Sequence, residues 1–370
     1  MIRSLAKSGI ACALHLTGAG RLRGRGGPGA VVVAYHRVVE EYPGENAGAL
    51  APMLIGRLTL ERQLEWLARR FTIVPPEELG RRLEAGALHD RPLAAVTFDD
   101  GYGDLYENAF PLLMKIGIPA AVFVVTGLVG TTALAPHDRA DLLLRRAVAA
   151  WGEAALDLEH LYRRIGLELP RLDVFTPTLE RGGSPARSYH DAIRRLLETL
   201  PQAKLTWLLD RLEDRLGIDA ADRRERRPLT WEELRIMRRA GLAIGSHTRT
   251  HPLLTRESPE RTMEELRASH RDLEEHLGVE TRLFAYPNGW FDGRTVAAVA
   301  AARYRYAFTS CRHVDAERPW LTIPRVLLWE RSAAGPFGRF SPSLMDCQAH
   351  GTFDALAGCR LEHAGAGASR

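Results

Sequence analysis

The sequence predicts an α/β protein in which seven or eight parallel strands close, or nearly close, into a barrel with helices outside. Three observations carry this. Short runs rich in β-branched residues are apolar at consecutive positions, so both faces of each strand are to be buried. Helix-patterned segments alternate with these runs, the order expected of parallel βα units. One long stretch, 131 to about 228, breaks the alternation and reads as helical, an insertion between barrel strands.

Taken in order, 1–20 carries basic residues and a short apolar patch interrupted by His15. It reads as an amphipathic helix lying on the domain or a membrane surface rather than as a cleaved signal peptide. Residues 21-RLRGRGGPG-29 form a linker; the reading as a phosphate loop fails because no Gly-Lys-Ser/Thr follows. The first buried strand is 30-AVVVAY-35, ending at His36. Leu60, Leu64 and Leu67 have helical spacing in 59–70, 71-FTIV-74 follows as a strand, and Pro75 and Pro76 open a helix that Gly86 ends. Strand 93-LAAVTF-98 runs into Asp99 and Asp100; helix 104–117 and strand 120-AAVFVV-125 follow.

Beyond the insertion, helix 231–241 leads into strand 242-LAIGSH-247, helix 259–278 into strand 282-RLFAYP-287, and helix 292–302 into strand 305-RYAFTS-310. The run 322-TIPRVLL-328 closes the series. The domain division is therefore 1–29 as helix and linker, 30–330 as the barrel with its insertion, and 331–370 as an extension, with disorder expected from about 341.

With 45% hydrophobic and 26% charged residues, the 370-residue chain has the composition of a globular protein. Net charge is +4, and only Lys7, Lys115 and Lys204 among the 50 basic residues are lysine. The arginines are interspersed with acids on helix-like faces, without the aromatic and basic groove of a nucleic-acid binder, so that class is set aside. Cys12, Cys311, Cys347 and Cys359 lack metal-ribbon spacing and do not outline a disulfide framework. No apolar run reaches the roughly 18 residues that a membrane span needs. A cytoplasmic or membrane-peripheral location is the weak expectation, and the sequence gives no oligomeric state.

Function in a β/α barrel sits at the carboxyl ends of its strands. Three predicted strands end there in polar groups: Asp99 and Asp100, Ser246 and His247, and Tyr286 to Asn288. The second continues as 247-HTRTH-251, two imidazoles four residues apart in a turn or tight loop. Two imidazoles and a carboxylate with open positions make a catalytic rather than a structural metal site. A cation would keep Asp100 ionised as a ligand and leave Asp99 free to take a proton from water, so adjacent acids acquire separate roles. Each motif alone has a plainer reading, a helix-capping turn or a pair of surface histidines; together, at strand ends, they describe one site.

The phrases TFDDGY, 247-HTRTH-251 and 284-FAYPNG-289 resemble the polysaccharide deacetylase family, the NodB homology or carbohydrate esterase 4 group. Supporting phrases are 34-AYHRV-38, 110-FPLLMKIGIPAAVFVVTG-127 and 230–254, so the resemblance runs from about 30 to 330 outside the insertion. It implies a deformed, TIM-like (β/α)7 barrel and metal-dependent removal of N-acetyl or O-acetyl groups from a polysaccharide. It also implies Asp99 as general base and Asp100, His247 and His251 as ligands of a divalent metal, Zn first, with Co, Ni or Mn as alternatives.

Two departures stand out. Ala285 occupies the place where many members carry an arginine near the base, and 325-RVLLWE-330 lacks the late histidine that serves as acid. His36 is the candidate acid in its stead, with His313 a weaker one. Tyr286, Asn288, Trp290 and Trp329 lie where a sugar would pass, and the backbone N–H of Tyr102 is a candidate for the oxyanion. Hydrolysis of small amides or imides on the same barrel, and glycan binding without turnover, are the competing readings.

Overall fold

The computed structural model describes residues 29–86, 91–165, 189–278, 280–335 and 338–352. In chain order the strands are β1 (Ala30–Tyr35), β2 (Arg37–Val39), β3 (Leu54–Gly56), β4 (Thr72–Ile73), β5 (Leu93–Phe98), β6 (Ala120–Val124), β7 (Ala243–Ser246), β8 (Leu283–Ala285), β9 (Tyr306–Thr309), β10 (Ile323–Pro324) and β11 (Val326–Leu327). The main sheet has the order β10-β9-β8-β7-β6-β5-β1-β11, with β4 added on β5. Every pairing in it is parallel.

Only Arg325 separates β10 from β11. One short stretch therefore pairs with β9 through Ile323 and with β1 through Val326, and the sheet returns on itself. Its seven strand positions, the last one split, are the deformed (β/α)7 barrel expected from the sequence.

Side chains of a strand alternate between faces. Leu93 and Ala95 join an interior cluster with Val32, Phe123, Ala285 and Phe308. Ala94, Val96 and Phe98 instead face an outer layer holding Leu64, Leu112, Met237 and Leu273. The same parity places Thr97 and Asp99 on the inner face, both buried.

The outer layer begins with α1 (Arg57–Arg70), α2 (Pro76–Glu84) and α3 (Phe110–Ile116). The predicted helix 104–117 starts as a π-helical turn over Leu105–Ala109, just before Pro111, which has no N–H to give. Strand 71–74 shortens to the two-residue β4, which pairs with Leu93 and Ala94 at the start of β5. The parallel pair β2 and β3, and the 3₁₀ segment Gly44–Met53 between them, have no counterpart in the sequence reading.

The insertion comprises α4 (Pro136–Trp151), α5 (Leu158–Arg164), α6 (Tyr189–Thr199), α7 (Gln202–Leu216) and α8 (Ala220–Glu225). It has its own apolar core, including Leu144, Leu161, Leu196, Leu208 and Leu212. Its return strand is bonded directly to the loop after β5. Gly103 N–H donates to Arg227 O at 2.7 Å, and Leu229 N–H to Gly101 O at 2.8 Å.

The outer layer resumes with α9 (Trp231–Arg239), α10 (Pro259–Leu277) and α11 (Gly293–Ala301). Thr230 with Glu233 and Asp292 with Thr295 form capping boxes that fix where α9 and α11 begin. The expected disorder from about 341 is corrected for part of that stretch. Ser341 caps α12 (Pro342–Ala349), which buries Leu344, Met345 and Cys347. The amphipathic helix and linker read in 1–28, and the tail after 352, lie outside the described residues. No helix among the described residues is long and apolar enough to cross a membrane.

Candidate metal centre and active site

Asp99 follows β5 directly and continues its inward parity, 3% exposed. On an extended strand Asp100 would face the opposite way. It takes φ 70 instead, and the chain turns so that both carboxylates line one cavity of about 310 Å³. Thr248 (φ 65), His251 (φ 62) and Asn288 (φ 54) are likewise left-handed. Four of the five described non-glycine residues with positive φ thus lie at this rim. Such conformations cost about 1–3 kcal/mol each and persist where surrounding bonds impose them.

Those bonds are visible in the tight loop 247–251. Glu265 on α10, 1% exposed, accepts from the Arg249 and Thr250 N–H groups at 2.9 and 2.8 Å and from the Thr250 hydroxyl at 2.7 Å. Thr248 Oγ1 accepts from the His251 N–H at 3.0 Å. His247 Nδ1 lies 2.8 Å from the Ala285 carbonyl, which can only accept, so that nitrogen carries the proton and Nε2 keeps its lone pair.

Both Nε2 atoms converge on Asp100 Oδ1, His247 at 3.5 Å and His251 at 3.4 Å. One ligand atom from each of the three residues lies within 4.8 Å of the others. Both Asp100 oxygens are buried without a hydrogen-bond partner, a costly state for a carboxylate that a cation relieves. Burial pushes its carboxyl up, but His137, His251, His36 and His247 outweigh that and hold it well below the ordinary range. Burial lowers His251 to about 3, so its imidazole is neutral and able to ligate. This donor set of two imidazoles and one carboxylate suits Zn²⁺ and its neighbours in the transition series.

The sequence matches the polysaccharide deacetylase family over residues 88–155 and 186–307, just over half of its length. The chain belongs to that family. Members are hydrolases acting on carbon–nitrogen bonds other than peptide bonds. Among proteins similar to this family member, YxkH of Bacillus subtilis (strain 168), itself named for the family, is 31% identical over 71 residues. That stretch covers 19% of this chain and 25% of YxkH. Among solved structures, the Streptococcus pyogenes deacetylase PplD in complex with acetate has 18% identity and a TM-score of 0.52, covering 86% of this chain and 96% of its own. IcaB from Ammonifex degensii has 21% identity and a TM-score of 0.51, covering 87% and 97%. At these identities the likeness to the solved structures is one of fold.

In this deacetylase-family chain Asp99 is held by a residue the sequence reading passed over. Arg325, 1% exposed, donates from Nη1 to Asp99 Oδ1 and from Nη2 to Oδ2, both at 2.7 Å. Nη1 also reaches the Thr97 hydroxyl at 3.2 Å. Burial pushes the Asp99 carboxyl up, but Arg325, with His247 and His36, holds it below the ordinary range. A guanidinium absent beside Ala285 thus arrives from the closing strand. An arginine inside the apolar run 322-TIPRVLL-328 was the available clue, because a buried arginine needs an acid.

His36, half-buried after β1, lines the same cavity as the two aspartates. Burial lowers its pKa, against the pull of Asp100 and Asp99. Asn288 and Trp290 line the cavity too, whereas His313, packed on Phe291, and Trp329 are not among the lining residues. Tyr286 borders the cavity but is fully buried, and its hydroxyl donates to Leu321 O at 3.0 Å, so it is a packing residue. Tyr102, a candidate through its backbone N–H, has its side chain beneath the rim, 4% exposed and outside the lining, with its hydroxyl bonded to the insertion. The lining also includes Leu50, Pro52, Met53, Gly289, Ser310 and Leu327, and from the insertion His137, Ile193, Arg194, Leu197 and Glu198.

Proposed function

We propose that this chain is a metal-dependent hydrolase that removes N-acetyl or O-acetyl groups from a polysaccharide. The observation that carries this reading is the buried Asp99–Arg325 pair beside Asp100, His247 and His251 in one cavity. A divalent cation held by those three residues would act as a Lewis acid on the acyl oxygen and lower the pKa of water from about 15.7 towards about 7.

Asp99 takes a proton from the attacking water as its oxygen bonds to the acyl carbon. Its carboxyl is below the ordinary range, so it is ionised beforehand, and the Arg325 fork fixes both oxygens. When the bond from acyl carbon to nitrogen (or to ester oxygen) breaks, the leaving atom needs a proton. His36, a titratable side chain of the lining, is assigned that role in place of the absent late histidine. With its pKa lowered, its resting imidazole is neutral, so the proton it passes to the leaving atom is the one that Asp99 has taken from the water. Trp290 offers an aromatic face for a sugar ring. Acetate, the expected product, is the molecule bound in the PplD structure.

Acetate release from acetylated chito-oligosaccharides and bacterial glycans tests the reading. Chelation should abolish release, added Zn²⁺ or Co²⁺ should restore it, and Asp99→Asn should cost roughly 10²–10⁴-fold in rate. An Asp99→Asn enzyme with undiminished turnover removes the assigned base. Release from small soluble amides alone transfers the activity to a different substrate class.

A further inference from the structure

We propose that the helical insertion supplies a positioning residue to this centre: His137, locked by Tyr102 and Asp138, orients the ligand carboxylate of Asp100 and the ring of His251. This inference rests on the metal-site reading above and assigns part of that site to a segment outside the barrel.

His137 and Asp138 stand in the first turn of α4, 7% and 0% exposed. The two oxygens of Asp100 face different neighbours. Oδ1 is the atom shared by His247 and His251, whereas Oδ2 lies 3.7 Å from His137 Nε2. That separation is too long for a hydrogen bond but short enough for an N–H dipole to act on a buried carboxylate.

The tautomer follows from proton counting. The Tyr102 hydroxyl donates its single proton to Asp138 Oδ2 at 2.7 Å. His137 Nε2, 2.6 Å from the same hydroxyl oxygen, must therefore supply the proton of that contact. The N–H edge that meets Tyr102 is the one turned towards Asp100 Oδ2. The imidazole also packs edge-on against His251, with ring centroids 5.3 Å apart, and His251 in turn against His247 at 4.9 Å.

Three layers result: Asp138 fixes Tyr102, Tyr102 fixes the proton and plane of His137, and His137 borders two ligands. Groups that orient ligands in this manner change metal affinity by roughly 10–100-fold when removed.

The test uses the full chain and Co²⁺ alone as probe, read by visible absorption and by competition with a chelating dye. His137→Ala should weaken Co²⁺ by roughly 10–100-fold and alter the spectrum. His137→Gln, whose amide N–H can take the donor position, should recover most of both, and Tyr102→Phe should fall between. Thermal melts of the metal-free variants separate a binding defect from misfolding, and the near-isosteric Gln variant keeps the test decisive if Ala fails to fold. Wild-type affinity and spectrum in both His137 variants overturn the inference while leaving the metal reading intact. A wild-type chain that takes up no Co²⁺, or takes it up equally with Asp100→Asn, overturns both.

Discussion

Arg325→Met gives the sharpest test of how the site is held together. The substitution keeps an unbranched side chain of similar reach but deletes the fork that makes two 2.7 Å hydrogen bonds to Asp99. Asp99 is 3% exposed and Arg325 1%, so bulk water replaces those bonds poorly. Leaving one partner of a buried ion pair uncompensated costs about 3–5 kcal/mol. That is a large part of the roughly 5–15 kcal/mol by which a domain is stable. Arg325→Lys keeps the charge but offers one ammonium where two nitrogens stood, so it should lose about 1.5–3 kcal/mol, one charged hydrogen bond. Asp99→Asn combined with Arg325→Met removes both charges and should be markedly more stable than the sum of the singles predicts. Urea unfolding followed by circular dichroism, with chelator present so that metal binding does not contribute, yields all four values. The reasoning is refuted if Arg325→Met unfolds within about 0.5 kcal/mol of wild type, or if the double variant is simply additive.

Three further outcomes are expected. His36→Gln should lower turnover by roughly 10²–10⁴-fold while Co²⁺ affinity stays at the wild-type value; full activity excludes His36 as acid. Gly289→Ala should strongly destabilise the chain, because Gly289 has φ 71 and a Cβ there would lie 2.4 Å from the Ser310 nitrogen; an unchanged melting temperature contradicts this. Glu233→Gln should lose about 1 kcal/mol at pH 7. Burial raises the Glu233 carboxyl, but hydrogen bonds from Arg227 and Thr230 outweigh it, so its folded pKa is depressed below 4.5. Its stabilisation is present above the unfolded value and is lost as pH falls through the lower folded one. The gap between wild type and variant should therefore close on acidification below pH 4.5, and a gap constant with pH refutes the assignment.

Much of this was legible because the decisive patterns are local. Strands buried on both faces betray a parallel barrel in six residues, as in 30-AVVVAY-35 and 93-LAAVTF-98. The Asp pair and 247-HTRTH-251 each sit at the end of such a run, where barrel geometry brings strand ends together. What was missed depends on contacts remote in sequence. Arg325 pairs with a partner 226 positions away. His137 meets Asp100 only because the insertion folds back and bonds its exit to Gly101 and Gly103. Tyr286 is a different case: its ring suits a sugar path, but the direction of its hydroxyl is set by the Leu321 carbonyl, 35 positions away. The α12 helix was readable in principle, since Ser341 before 342-PSLMDCQA-349 is a capping pattern that the glycine-rich tail obscured.

The split closing strand ties catalysis to completion of the barrel. Asp99 faces inward by strand parity alone, and an acid there without a partner would ionise poorly. Its partner comes from the one residue between β10 and β11, whose backbone N–H bonds Thr309 O at 2.8 Å on the β9 side. From that position the Arg325 side chain passes the Phe123 ring at 5.6 Å and crosses the interior to β5. If the last strand fails to pair on either edge, the guanidinium has no fixed origin and Asp99 loses both its charge state and its orientation. A chain open at this seam would keep Asp100, His247 and His251 on strands that do not need the closure, since β5, β6, β7 and β8 pair among themselves. Truncating before residue 322 should therefore abolish turnover while sparing Co²⁺ binding far more. Equal loss of both would show that the closing strand supports the whole rim rather than the base in particular.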